Sequence, residues 1–129
     1  RGLGDVYKRQ TPMISIKGDE KAIRSLITIL LDNAVKYTNE RGRIDVTLGK
    51  KKNRIYLSVF NTTEYISKEQ TSRLFDRFYR TDISRNSQTG GYGLGLSIAA
   101  ATADSHKGKI MAETEDEKSL RITVTFPGQ

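Results

Sequence analysis

Three stretches of this chain carry residues suited to work on a phosphorylated ligand. The first is TGGYGLGLSIAAATADSHKGKI, residues 89–110, where Gly91, Gly93 and Gly95 alternate. It passes at once into an apolar helical pattern of Leu94, Leu96, Ile98, Ala99, Ala101 and Thr102. A glycine loop feeding a helix N-terminus holds phosphate, because unencumbered backbone N–H groups point at the anion and the helix dipole favours negative charge. The second is LLDNAVKYT, residues 30–38. Asn33 and Lys36 lie three apart on a helix, so both can face one cleft. Asn33 is set in an otherwise apolar helix, where an amide needs a partner. Its carbonyl oxygen suits a magnesium ion bridging phosphates, and Lys36 adds a positive charge. Taken alone, this pair reads rather as an Asn holding a neighbouring loop beside a solvated lysine. The third is LFDRFYRTD, residues 74–82. Arg77 and Arg80 flank Phe78 and Tyr79 just before a polar, glycine-bearing stretch. Arg80 can swing onto a terminal phosphate, while Phe75 and Phe78 anchor the base of that stretch in the core.

These residues need elements to place them. Asp19 caps a helix running to about Tyr37, with Ile23, Leu26, Ile27, Leu30, Leu31 and Ala34 recurring at helical spacing. Met13–Ile16 before it alternates like a short strand. Ile44, Val46 and Leu48 alternate, as do Ile55, Leu57 and Val59, and the Lys-Asn tip between them predicts an antiparallel hairpin. Ser67, followed by Glu69 and Gln70, begins a short helix ending near Phe75. Residues 81–92 lack periodicity and read as a loop. Leu94–His106 is the next helix, with Gly108 in a C-cap role. Ile110–Glu113 and Leu120–Phe126 are strands joined by the acidic turn Glu115-Asp116-Glu117. Helices on one face of a mixed, mostly antiparallel sheet follow: an α+β two-layer sandwich.

Composition narrows the function. The chain has 129 residues, net charge +7 and no cysteine. It has no apolar run near the ~18 residues needed to span a bilayer. No disulfide or thiolate metal site is possible, which suits a reducing cytosol. The charge gathers at Lys50-Lys51-Lys52-Asn53-Arg54 and around Arg73–Arg85. The first cluster reads as a solvated hairpin tip and the second flanks the glycine loop. A nucleic-acid binder would rest on net charge alone, without aromatics interleaved on a basic face. Residues 1–10, RGLGDVYKRQ, read as a non-native leader: Asp5–Gln10 resembles the translated end of a transposon-based sequencing adapter. The functional domain is then 11–129.

The order of asparagine helix, hairpin, Phe-Arg segment, polar stretch and glycine loop resembles the catalytic ATP-binding domain of bacterial sensor histidine kinases, in the GHKL group with DNA gyrase and MutL. The likeness covers residues 13–127. LLDNAVKYT resembles the N box, LFDRFYRTD the F box, and GGYGLGLSIA the second glycine box, while HKGKI and ITVTFP fit the closing strands. The resemblance implies that Asn33 coordinates Mg²⁺, that Lys36 and Tyr37 contact the phosphates and the sugar or base side, and that Arg80, with Arg77 beside it, reaches the γ-phosphate. It implies that Gly91, Gly93 and Gly95, with Leu94 and Leu96, wrap the phosphates, and that residues 81–92 are an ATP lid. ATP and Mg²⁺ are the implied ligands. The implied partners are a phosphoacceptor and dimerisation domain of a parent kinase and a response regulator, with neither nucleic acid nor membrane contacted by this chain. The isolated domain is expected to be monomeric and cytoplasmic, its parent anchored in the bacterial inner membrane.

The chain also departs from that pattern. The first glycine box usually reads Asp-x-Gly-x-Gly-Ile; here it is Asn61-Thr62-Thr63-Glu64-Tyr65-Ile66. Asn61 keeps a carbonyl oxygen for the adenine amine, in a neutral hydrogen bond weaker by about 1 kcal/mol. Thr63 and Tyr65 need room that glycine does not, so Tyr65 either covers the adenine or obstructs it. Leu120 stands where a threonine often helps hold adenine through water. Ile29 stands where hydrolysing relatives carry a glutamate base, which favours phosphoryl transfer over hydrolysis. His106, the only histidine, follows the glycine-box helix at its C-terminal end, where a cation suits the dipole, and reads as structural. A second reading stays open: a degenerate nucleotide-binding or protein-interaction module that no longer transfers phosphate.

Overall fold

A computed structural model describes residues 18–79 and 95–128. Helix α1 spans Glu20–Tyr37. The hairpin β1 (Ile44–Lys51) and β2 (Arg54–Thr62) follows, then the one-turn helix α2 (Lys68–Thr71). Helix α3 (Gly95–Ser105) leads into β3 (Lys109–Glu113) and β4 (Ser119–Pro127). The four strands form one sheet in the order β1-β2-β4-β3, and every pairing is antiparallel. Helices α1 and α3 pack on each other and on one face of it, the expected α+β sandwich. The strand expected at Met13–Ile16 lies outside the described residues.

The elements start where the sequence places their caps. Asp19 Oδ1 accepts from the Lys21 and Ala22 N–H groups, satisfying donors that the first turn leaves unpaired. Ser67 and Gln70 form a reciprocal capping box on α2. That helix stops at Thr71, and turns carry the chain on through i→i−3 bonds such as Arg73 N–H to the Gln70 carbonyl. At the end of α3 the left-handed residue is Lys107, with φ 62°, and not Gly108. The Gly108 N–H reaches back to the Ala103 carbonyl at 2.8 Å and the Lys107 N–H to the Asp104 carbonyl at 3.0 Å, a Schellman closure. Gly108 is needed for a different reason. A Cβ there would run into the Thr125 backbone carbonyl, so this turn can lie flat on β4 only without a side chain.

Leu26, Leu30 and Ala34 of α1, Ala99 and Ala103 of α3, and Leu57, Val59, Leu120, Ile122, Val124 and Phe126 of the sheet make the core. Burial alternates along β4 and most of β2, as a sheet covered on one face requires. Strand β1 departs from the expected pattern. Ile44, Val46 and Leu48 pair with Asn61, Val59 and Leu57 and so share the helix-side face, yet they are 36–50% exposed. β1 is the sheet edge, and α1 lies over β2, leaving its apolar face half open.

One aromatic expectation changes. Phe75 and Tyr79 pack on the core, but Phe78 does not: it is 61% exposed at φ 69°, with the Arg77 guanidinium 5.0 Å from its ring. A left-handed backbone at Phe78 turns its side chain outward and hands the inward place to Tyr79, over which Arg73 stacks at 4.6 Å. His106 is structural, and its ring is used for two hydrogen-bonding contacts. Its Nε2 accepts from the Asp19 N–H at 3.0 Å, while Nδ1 lies 2.8 Å from the Thr102 carbonyl. The ring packs edge-on against Phe126 and ties the end of α3 to the start of α1.

Candidate functional site

The last two turns of α1 carry Asn33, Lys36 and Tyr37. Asn33 and Tyr37 are half-buried and Lys36 is exposed, with its Nζ 5.7 Å from the Tyr37 ring centre. One turn before Asn33, Ile29 packs on the core and faces the beginning of α3: a Cβ on Gly95 would sit 3.6 Å from Ile29 Cγ2. The Asn33 helix and the helix that the glycine run enters therefore meet beside Gly95, at the end of α3 where the dipole is positive. Leu96 packs against the core and fixes that end in place. Ile29 has no group that takes a proton.

The same end of α1 is bound to the end of β2. The Asn39 N–H donates to the Thr62 carbonyl at 3.3 Å, and Thr62 Oγ1 donates to Asn39 Oδ1 at 2.7 Å while accepting from the Arg43 N–H at 2.8 Å. Gly42 closes on this knot so tightly that a Cβ would collide with the side-chain oxygens of Thr38, Asn39 and Thr62. Thr38 Oγ1 is, among the described residues, the buried side-chain atom left without a partner. The sequence reading missed this knot. Its signal was the polar run Thr38-Asn39 directly after an apolar helix.

Asn61, beside Thr62, is 2% exposed and lies across from Leu120. Its Nδ2 donates to the Thr62 carbonyl at 3.0 Å, which aims the amide by its nitrogen and leaves Oδ1 out of that bond. Leu120 is a core residue and offers no hydroxyl. Thr63 is buried and Tyr65 is 55% exposed. The Thr63 N–H donates to the Lys118 carbonyl and the Ile66 N–H to the Glu117 carbonyl, both at 2.9 Å. The segment that replaces the first glycine box is thus docked backbone-to-backbone on the β3–β4 turn. Ile66 joins the core.

Asn33, Lys36, Tyr37, Asn61, Gly95 and Leu96 are thereby gathered at one end of the sandwich. Arg77 is exposed, and the contact it makes is the Phe78 stack. Arg80, Gly91, Gly93 and Leu94, with the expected lid at 81–92, lie outside the described residues. The described residues contain no cluster of three or more His, Cys, Asp or Glu side chains able to hold a metal. A divalent cation at α1 would take its protein oxygen from Asn33 and the rest from phosphates and water. That donor set fits Mg²⁺, which keeps several waters and uses few protein ligands.

No helix among the described residues is long and apolar enough to cross a membrane. Residues 18–129 match the family described as histidine kinase-, DNA gyrase B- and HSP90-like ATPases. The chain is 41% identical over 133 residues to the sensor histidine kinase YkoH of Bacillus subtilis (strain 168), across 98% of this chain and 29% of that protein. The chain spans less than a third of the length of the curated relatives it matches. The catalytic domain of the histidine kinase ThkA superposes with a TM-score of 0.72 at 29% identity, over 87% of this chain and 70% of that one. ThkA in complex with the response regulator protein TrrA gives 0.70 at 26% identity, over 88% of this chain and 30% of that one. With the fold, the asparagine helix and the glycine-entered helix in this arrangement, and with the match running from residue 18 to the last residue, the chain belongs to the histidine kinase-, DNA gyrase B- and HSP90-like ATPase family.

Proposed function

We propose that this chain is the ATP·Mg²⁺-binding catalytic domain of a sensor histidine kinase, and that it donates the γ-phosphate of ATP to a histidine on a separate phosphoacceptor and dimerisation domain. The observation that carries the reading is the meeting of α1 and α3 at Ile29 and Gly95, one turn from Asn33. That meeting supports the reading, because an ATP·Mg²⁺ triphosphate requires an amide oxygen for the cation near a helix N-terminus fed by a glycine run. Asn33 holds the cation, Lys36 and Tyr37 face the phosphates and the sugar or base, and Asn61 and Ile66 line the base side. Gly95 and Leu96 complete the phosphate cradle with Gly91, Gly93 and Leu94, and Arg77 and Arg80 serve the terminal phosphate. Ile29 keeps the site free of a water-activating base, which directs the phosphoryl group to an acceptor side chain. A response regulator would take it from there; ThkA is known in complex with the response regulator protein TrrA.

Thr63 and Tyr65 favour a second reading, a module that no longer binds nucleotide productively, because the glycines that let backbone approach a base are absent. One titration separates the two. ATP binding to the chain is expected with a dissociation constant on the order of 10 µM to 1 mM, a binding free energy of ~4 to 7 kcal/mol, tighter with Mg²⁺ than without. Asn33→Ala should abolish the Mg²⁺ dependence. No calorimetric heat and no thermal shift at millimolar nucleotide would assign the chain to the second reading.

A further inference from the structure

The fold brings seven described cations to the end of the sandwich away from the candidate nucleotide site. The hairpin tip carries Lys50, Lys51, Lys52 and Arg54, all exposed. Pro127 pairs with Arg54, and the Gly128 N–H bonds the Asn53 carbonyl at 2.8 Å, so the end of β4 lies against this tip. Phe126 on the same strand end packs on His106, which places the α3–β3 connection and its exposed Lys107 there. Lys109 pairs with Thr125. His106 in turn binds the Asp19 N–H, which brings the start of α1 and Lys21 to the same end. Three segments remote in sequence thus converge. Among the described residues, none of these seven cations joins an ion pair. Among the described residues, the carboxylates nearby are Asp19, engaged as a helix cap; Glu20, paired with Arg24; and Asp104. Asn33, Asn61 and Gly95 belong to the other end, where Asn61 pairs with Leu120 and the β3–β4 turn docks.

We propose that this basic end is a docking surface for an anionic lipid bilayer. Six of the seven cations are lysines. Lysine is a hydrated point charge on a flexible stem, suited to a fluid array of lipid phosphates, whereas arginine forks recognise fixed carboxylates and phosphates. Lysine is depleted in protein–protein interfaces, whose energetic centres are aromatic or arginine residues. None of the exposed large hydrophobic residues belongs to the tip or to the α3–β3 connection. The aromatic beside the tip, Tyr56, is only half-exposed and lies along Gly49, which makes it a poor stacking platform for single-stranded nucleic acid. A projecting hairpin tip turned by Lys52 at φ 57° can approach a flat surface. With this end on the bilayer, the nucleotide end faces away from it and stays open.

The test is co-sedimentation of the chain with extruded vesicles, either of phosphatidylcholine alone or with one third phosphatidylglycerol, at 50 and 500 mM salt. Binding is expected to the anionic vesicles at low salt only. Lys50→Glu/Lys51→Glu should weaken it at least tenfold. Lys68→Glu/Lys118→Glu, which changes net charge equally at the other end, should retain most of it. Circular dichroism melting checks that each variant is folded. Equal binding to both vesicle types, or equal losses from the two double variants, would overturn the proposal. So would duplex DNA that binds more tightly than anionic vesicles and shows the same dependence on Lys50 and Lys51; it would assign the surface to nucleic acid instead.

Discussion

On our proposal, Asn61 is the side chain that reads the base. It is buried, and its amide nitrogen is committed to the Thr62 carbonyl, so the oxygen is the group left to accept from an adenine amine. Replacing Asn61 by Ala removes that acceptor and is expected to weaken ATP binding by about 1–3 kcal/mol. Asn61→Asp should hold or strengthen binding, because an ionised carboxylate gives a charge-assisted bond. Calorimetric titration of the three proteins, each first shown to melt cooperatively, measures this. Equal affinities would mean that the residue does not read adenine. Tyr65 changes in meaning on the folded chain. With its side chain more exposed than buried, it adds little to the core, so its concern is access to the base rather than packing.

Among the elements, the β3–β4 turn supports the site from behind, because its carbonyls at Glu117 and Lys118 hold the backbone of Ile66 and Thr63. Asp116 organises that turn. Its Oδ1 accepts from the Lys118 N–H at 2.9 Å and from Ser119 Oγ at 2.8 Å. The Lys118 backbone bond first, then the Ser119 hydroxyl, holds its pKa below the ordinary carboxylate value. A carboxylate whose folded pKa lies below its unfolded one contributes stability above the unfolded value, about 3.9, and loses it as pH falls through the folded pKa. Asp116→Asn should therefore lower the thermal midpoint at pH 7, and the gap to wild type should close on acidification below that value. Midpoints that coincide at neutral pH would show that the turn stands without the carboxylate.

For the whole molecule, our proposals give the sandwich a nucleotide end and a bilayer end, and the histidine the chain owns is spent holding the second together. His106 is engaged on both ring nitrogens, between Thr102 and the start of α1. Incubation with radiolabelled ATP and Mg²⁺ is thus expected to leave the chain unlabelled. Adding the phosphoacceptor domain of a natural full-length parent should produce label on that domain alone. Label recovered on His106 would contradict the role assigned to it here.

Most of the element order was legible before folding because its causes are local. Asp19 and Ser67 cap, the α1 apolar residues repeat at helical spacing, and Lys52-Asn53 turns the hairpin, each through bonds between near neighbours. The motifs that name the family are local too, so Asn33, Lys36 and Gly95 stood out at once. What depended on contacts across the chain did not. Nothing in the alternation of Ile44, Val46 and Leu48 tells that α1 will lie over β2 and leave them half open. Phe78 and Tyr79 are interchangeable as aromatics until a left-handed φ assigns one outward and the other inward. The sequence by itself determined the strands, the helices and the chemistry of the motifs, because those follow from short-range hydrogen bonding and amphipathic period. Only the tertiary structure decided that Ile29 meets Gly95, that His106 binds Asp19, and that lysines from three segments share one end. Those outcomes follow from how the layers stack, which no local pattern specifies.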